Sequence, residues 1–288
     1  MKTSLHKSIF ILSFLFLLTV SLKSQSLSEW FDVKEVADKV WLIDDHNAVN
    51  IYLIEGKDSA LIIDTGMGAA DLSSLVKKLT NKPVIVVNTH GHPDHVGANY
   101  QFEKVYVHPA DSTATRMLNL IESRKQSGEM MLAGAVPPEG ELYKDKELIT
   151  KLIPVKEGYK FKLGGRTIQV IETPAHTAGS ICLLDIENKL FFTGDNNNDL
   201  VWLFLEGCLP LSVYLKSLEK QALLISEYNI IFPGHGEKIK SEFVLDEVEC
   251  VKSILNGTCK SKPYKSFAGE AKICSYGKAK VAYDPNNL

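Results

Sequence analysis

The chain has 288 residues, 45% of them hydrophobic and 23% charged, with a formal net charge of −3. Those values suit a soluble globular protein with a sizeable core. They offer no electrostatic footprint for nucleic acid or an anionic membrane surface, so neither is expected as a partner.

At the N-terminus, Lys2 and Lys7 precede an apolar run from Ile9 to Val20, with Ser24 and Ser26 close behind. A positive start, a short apolar run and small residues at a cleavable position predict a secretory signal peptide over residues 1–24. As a membrane anchor the run would reach only about 18 Å into a hydrocarbon layer of ~30 Å. Nor does a nearby cysteine suggest a lipid-anchored form. Cleavage would remove three lysines and no acid, taking the charge from −3 to −6. A periplasmic or secreted protein without a stable membrane anchor is expected.

Strand-like runs follow at Val40–Asp44, Asn50–Glu55 and 60–64, rich in β-branched and aromatic residues and bounded by turn sequences. Over residues 71–80, Leu72, Leu75, Val76 and Leu79 recur at helical spacing. The run 84–89 is continuously apolar up to its end, as a strand covered on both faces would be. A polar, glycine-containing excursion occupies about residues 124–150. Strand signals resume at 167–173, 180–185 and 190–193, a helix is expected over 214–228, and a last short strand over 230–232. Residues 258–288 show no clear periodicity. No linker divides the chain, so one α/β domain over 25–257 is expected, with 258–288 as an extension of it.

The strand at 84–89 runs into Thr89-His90-Gly91-His92-Pro93-Asp94-His95. Imidazole and carboxylate are ligands that zinc accepts. Three histidines and an aspartate in six residues, on a turn shaped by Gly91 and Pro93, can aim alternate side chains at two neighbouring ions. A lone histidine would more often be a hydrogen-bonded bystander, and His108, His46 and His6 are read that way. The clustered run is not.

This run resembles the H-x-H-x-D-H signature of the metallo-β-lactamase superfamily. Further landmarks occur in the family's order: Asp64-Thr65-Gly66, then Thr173-Pro174-Ala175-His176, then Thr193-Gly194-Asp195, then Pro233-Gly234-His235-Gly236. The resemblance spans about residues 40–236. It implies a four-layer αββα sandwich with two mixed sheets flanked by helices. It also implies one metal site of His90, His92 and His176, a second of Asp94, His95 and His235, and Asp195 bridging the two. Asp64 would buttress the histidine loop by hydrogen bonds. One departure is Ala175, where the family usually has glycine before the third histidine; it is expected to tighten the turn without removing a ligand.

Two Zn2+ ions, with iron or manganese as alternatives, would share a bridging hydroxide, with Asp94 orienting it and taking its proton. The expected activity is hydrolysis of a small-molecule substrate: an ester, lactone or amide. A bridging aspartate at position 195 and Asn198 in place of a drug-binding lysine disfavour a true β-lactamase. Expected export disfavours a cytosolic thioesterase of the glyoxalase II kind. A phosphodiesterase or phosphorylcholine-type esterase, a mononuclear iron oxygenase and a non-catalytic binding protein remain as alternatives, because the fold does not choose the chemistry. Oligomeric state is left open.

Between Asp195 and the next helix, Trp202, Leu203, Phe204 and Leu205 form an apolar run. At least two of the four are expected in the core, with Trp202 facing the substrate pocket. Of the five cysteines, Cys259 and Cys274 could close a loop in an oxidising compartment, or all five could be free buried thiols.

Overall fold

The computed structural model describes residues 29–132, 134–135 and 150–288. The expected signal peptide and much of the 124–150 excursion lie outside the described residues.

Seven strands form the first sheet in chain order: β1 (Asp32–Ala37), β2 (Val40–Asp44), β3 (Asn50–Glu55), β4 (Ala60–Ile63), β5 (Val84–Val87), β6 (Lys104–Val107) and β7 (Lys151–Pro154). The first four are an antiparallel meander, and β4 to β7 run parallel. The crossover between β4 and β5 is the expected helix, α1 (Leu72–Leu79). Asp71 caps it by accepting from the Ser74 N–H at 2.9 Å, while Lys77 and Lys78 face the negative end of its dipole. Leu72, Leu75 and Val76 are buried against the outer face of this sheet beside Ile62 and Val86. Short helices α2 (Pro93–Val96), α3 (Ser112–Leu118) and α4 (Ile121–Met131) continue the layer in sequence.

The second sheet is again mixed. It contains β8 (Lys160–Lys162), β9 (Thr167–Glu172), β10 (Ile181–Asp185) and β11 (Leu190–Gly194). After β12 (Val201–Leu203) leaves for another sheet, β13 (Ile230–Pro233) and β14 (Ile239–Lys240) complete it. Between the two sheets Tyr52, Ile54, Leu61, Ile63 and Val87 meet Ile168, Val170, Ile181, Phe192 and Phe232. Burying such side chains contributes about 1.5–3 kcal/mol each. Tyr52 packs edge-on against both Phe192 and Phe232, whose rings stack at 5.1 Å. This apolar seam brings the C-terminal ends of β5, β9, β11 and β13 together, and the segments that follow them carry His90 to His95, His176, Asp195 and His235.

The helix expected over 214–228 is α5 (Leu211–Leu223), followed by a separate 3-10 turn at Ile225–Glu227. Helix α6 (Phe243–Leu255), unassigned from sequence, packs along it. The C-terminal residues, also unassigned, fold into β15 (Lys262–Ser266), β16 (Gly269–Tyr276) and β17 (Ala279–Tyr283). With β12 they make a third sheet in the order β12-β17-β16-β15. The two mixed sheets and their helices form the expected αββα sandwich, and this third sheet is an addition to it. A disulfide joins Cys259 to Cys274, while Cys182, Cys208 and Cys250 are free.

Candidate metal centre

Strand β5 ends at Val87, and the next residues turn sharply into α2, which places His92 at the helix N-cap and Asp94 and His95 within its single turn. The turn is held from several directions. Asn88, fully buried, donates from Nδ2 to the His95 carbonyl at 3.0 Å. The Thr65 backbone N–H donates to that same carbonyl at 2.9 Å. Asp64 accepts from the Thr89 N–H and hydroxyl, both at 2.7 Å, and lies 2.8 Å from His95 Nδ1. Both Asp64 oxygens already accept from Thr89, so Nδ1 of His95 donates to Oδ2 and Nε2 faces the cluster. Asp64 sits at φ +63°, a backbone conformation that a non-glycine residue holds only when its surroundings compel it. The expected buttress is present.

His176 arrives on the loop between β9 and β10. Its Nδ1 lies 2.8 Å from the Trp202 carbonyl, so that nitrogen must be the donor and Nε2 points inward. Ala175 is fully buried, and its methyl lies in the apolar cluster beneath α5 with Leu211 and Tyr214. Its side chain serves the core, and the turn accommodates it. Asp195 follows Gly194, which has φ +50° and whose added Cβ would lie 2.5 Å from the Thr89 hydroxyl. His235 follows Gly234, where a Cβ would lie 2.4 Å from Asp195 Oδ1. Asn50 Nδ2 donates to the carbonyls of Pro233 and Gly236, and Tyr52 donates to Pro233. Both glycines are therefore demanded by close approach.

The seven side chains expected from sequence converge. Nitrogens of His90, His92 and His176 lie within 4.8 Å of one another, as do ligand atoms of Asp94, His95 and His235. Asp195 touches both groups: Oδ2 lies 3.4 Å from His176 Nε2 and 3.2 Å from His235 Nε2, and Oδ1 lies 3.3 Å from His95 Nε2. Asp94 Oδ2 lies 3.4 Å from His95 Nε2 and 3.3 Å from His235 Nε2.

Burial and neighbouring imidazoles hold His90 well below the ordinary histidine range and take His92 down to about 3, so both keep a free lone pair. Burial would also lower His95 and His235, but the surrounding carboxylates outweigh it, raising His95 strongly and His235 to about 10. Conversely, burial would raise Asp94 and Asp195, yet the facing imidazoles hold both well below the usual carboxylate range. Two ionised carboxylates thus sit among inward-facing nitrogens. His90 Nε2, His95 Nε2 and Asp195 Oδ1 are buried without a hydrogen-bond partner. Orphaned buried donors and acceptors are costly, and divalent cations at this spot would satisfy all three. The donor set fits.

One positioning residue escaped the sequence reading. Asp111, buried beyond β6, accepts from the Gly91 N–H at 2.8 Å, the Thr177 hydroxyl at 2.6 Å and the Gly179 N–H at 2.8 Å. A single carboxylate thereby ties the His90–His92 turn to the His176 loop. Asn197 was missed as well: it donates to Glu247 of α6, a carboxyl that burial raises well above its ordinary range. Asn198 accepts from the His235 N–H at 3.2 Å. His108, read as a bystander, pairs with Glu172 at 3.0 Å, and His46 stacks on Trp30.

The cluster opens into a cleft of about 520 Å³ whose walls include Asn47, Met131, Asn198, Trp202, Leu205 and Phe267. Trp202 faces it as expected. The expectation of two core residues in the run 202–205 is corrected: only Leu203 is buried, while Trp202 and Leu205 line the cleft and Phe204 is half-buried. The reason is the strand. Side chains alternate along β12, so Leu203 turns toward α5 and α6 and its neighbours turn away.

Comparison with known proteins agrees with this geometry. A sequence profile of the metallo-beta-lactamase superfamily matches residues 44–235. The chain is 28% identical over 240 residues to acyl-coenzyme A thioesterase MBLAC2 of Bos taurus, covering 75% of this chain and 85% of that protein. The human protein of the same name is 27% identical over the same length and coverage. Among solved structures, the sec-alkylsulfatase Pisa1 from Pseudomonas sp. superposes with a TM-score of 0.63 at 15% identity, over 79% of this chain. This chain spans only 42% of that enzyme. A metallo-beta-lactamase from Pontibacter korlensis superposes with a TM-score of 0.53 at 18% identity, over 77% of this chain and 99% of that one. At such identities the superpositions speak for the fold alone. The profile match over two thirds of the chain, laid on the His/Asp cluster, makes this protein a hydrolase of the metallo-beta-lactamase superfamily.

Proposed function

We propose that the protein is an exported hydrolase that holds two divalent metal ions, zinc foremost, and cleaves a small neutral ester, thioester, lactone or amide. The observation that carries this is Asp195, whose carboxylate touches both groups of ligating atoms at 3.2–3.4 Å. On this reading His90, His92 and His176 would hold one ion, Asp94, His95 and His235 would hold the other, and Asp195 would contribute to both. The ions supply Lewis acidity and lower the pKa of coordinated water toward neutrality. The chain's own residues do the rest. Asp64 and the Trp202 carbonyl fix the ring orientation of His95 and His176, Asp94 orients the attacking water and takes its proton, and the cleft walls exclude bulk solvent.

The substrate's neutrality is supported by the lining of the cleft, which among the described residues includes Asp199 but no lysine or arginine. A β-lactam carboxylate, a phosphodiester or a sulfate ester would find no cation there beyond the metals. The thioester bond enters because the MBLAC2 relatives are named acyl-coenzyme A thioesterases, but the lining suits a thioester without the coenzyme's phosphates. Two complete ligand groups favour a pair of ions over the single iron of an oxygenase. Export is supported by the Cys259–Cys274 disulfide, since such bonds persist in oxidising compartments. The test is a panel of chromogenic acetate, thioacetate, lactone, β-lactam and bis-nitrophenyl phosphate substrates, run before and after chelation. Metal-dependent turnover of the neutral carbonyl compounds is expected. Turnover confined to phosphate or β-lactam, or none lost on chelation, would refute it.

A further inference from the structure

Three strands of the third sheet, β15 to β17, lie outside the residues shared with the superfamily profile, yet the sheet reaches the cleft. Strand β12 begins six residues after Asp195 and pairs in parallel with β17, Trp202 opposite Ala282. Strand β17 pairs with β16, and β16 pairs with β15, ending at Ser266 opposite Gly269. That register leaves a two-residue turn of Phe267 and Ala268. The Ala268 N–H donates to the Ser266 hydroxyl at 3.1 Å, and Gly269 closes the turn at φ +137°, a conformation suited to glycine. The turn aims the Phe267 ring at Trp202, with centroids 5.5 Å apart. Trp202 also contacts Phe204 at 5.3 Å, and Phe204 contacts Tyr264 of β15 at 5.9 Å. The disulfide ties Cys274 of β16 to Cys259 just ahead of β15, and Ser261 bonds the Tyr283 hydroxyl at 2.7 Å.

Phe267 is 62% exposed, an uneconomical state for a phenyl ring that is held against the cleft by a stapled hairpin. Its open face, the Trp202 ring and Leu205 make an apolar wall running outward from the metal ligands. The cleft volume lies within the ~300–1,000 Å³ span of small-molecule sites. We infer that the C-terminal hairpin is a specificity element. It binds a linear apolar acyl chain of the substrate along the wall made by Phe267, Trp202 and Leu205 while the scissile carbonyl lies at the His/Asp cluster. The inference rests on the hydrolytic reading and narrows it from small neutral carbonyl compounds to those with a medium-length alkyl chain. The chemistry is ordinary hydrolysis: water adds to the acyl carbon, the C–O or C–S bond breaks, and the leaving group takes a proton.

The test compares p-nitrophenyl acetate, butyrate and octanoate on the metal-loaded protein. Each methylene seated against the wall should raise kcat/KM about fourfold until the wall is filled. Phe267→Ala should lower the octanoate-to-acetate ratio of kcat/KM about tenfold, mainly through KM, and Phe267→Leu should restore most of it. Phe267 is at an exposed turn, so neither change threatens folding. An unaltered ratio in Phe267→Ala would overturn the inference. If no ester is cleaved at all, the ester reading of the substrate fails separately. Calorimetric titration with N-methyloctanamide, which carries the octanoyl chain on the acyl side, then tests the wall alone: a Kd about tenfold weaker in Phe267→Ala supports it, and an equal Kd removes it.

Discussion

The ligand-bearing turns and the C-terminal hairpin face the same cleft but are built on opposite plans. Around the ligands the supporting groups are cross-tied: Asp64 to Thr89 and His95, Asp111 to Gly91, Thr177 and Gly179, Asn50 to the Gly234–Gly236 loop. The hairpin has one solvated face, exposed aromatic rings, and a disulfide in place of a deep core. The first plan fixes atoms to within a few tenths of an ångström, which hydrolytic chemistry requires. The second fixes a surface, which is enough for reading an apolar chain. A division between chemistry and selectivity follows, and substitutions on either side should separate them.

The largest effect is expected on the ligand side. His92→Ala should cut kcat by about a thousandfold on every substrate, the several kcal/mol a metal centre contributes. Mass spectrometry of the native protein should show a metal deficit alongside. Comparable activity with full metal loading would assign the chemistry elsewhere.

Asp111→Ala comes next. It leaves all seven ligating side chains in place but frees the His90–His92 turn from the His176 loop. Metal affinity should fall about 10–100-fold, the range seen when groups that orient ligands are lost. Competition with a chromogenic chelator would measure it, and unaltered affinity would mean that the two loops hold their positions without the clamp.

On the hairpin side the expected changes are smaller. Replacing Cys259 and Cys274 by serine removes a cross-link over 15 residues, worth about 2–4 kcal/mol where it acts. Limited proteolysis should then cut within residues 258–278 first, with metal content retained. Uniform unfolding of the whole chain would show that the two regions are not separable.

How far each region was legible follows from the same contrast. The ligand turns announced themselves because metal chemistry demands particular residue types at close spacing, as in His90-Gly91-His92-Pro93-Asp94-His95. The meander β2–β4 was legible from β-branched and aromatic runs bounded by turns, although β3 and β4 are buried on both faces; helix α1 was legible because one face is buried in a regular period, and Asp71 marks its start. Asp111 was invisible: its partners stand 20, 66 and 68 residues away, and nothing in His108-Pro109-Ala110-Asp111 signals them. Strands β15 and β16 were hidden for another reason. Pro263, Lys265, Glu270 and Lys272 share one solvated face, and Lys262 and Ser266 interrupt the other, which leaves too few apolar positions to show a period of two. Helix α6 carries a good apolar pattern, but buried Glu247 interrupts it because Asn197 and Tyr214, both distant in sequence, supply its partners.

The smallest effect concerns pH, and it tests the buttressing on the ligand side. Burial raises Asp45 to about 6, although it accepts from Trp30 Nε1 at 2.6 Å and the Met67 N–H at 2.7 Å. A folded-state pKa above the unfolded value of 3.8 means that folding favours the protonated form. Its contribution is fully present below about pH 4 and is lost as pH rises through about 6. Asp45→Asn forfeits one acceptor and should be less stable at every pH, yet flatter between pH 4 and 7 in urea unfolding. An unchanged slope would assign that dependence to other groups.

The most direct test of the central claim is anomalous diffraction from crystals of the zinc-loaded protein, collected on both sides of the zinc absorption edge. Two peaks about 3.5–4 Å apart are predicted, one among His90, His92 and His176, the other among Asp94, His95 and His235, with Asp195 between them. A single peak, or zinc bound away from these side chains, would contradict it.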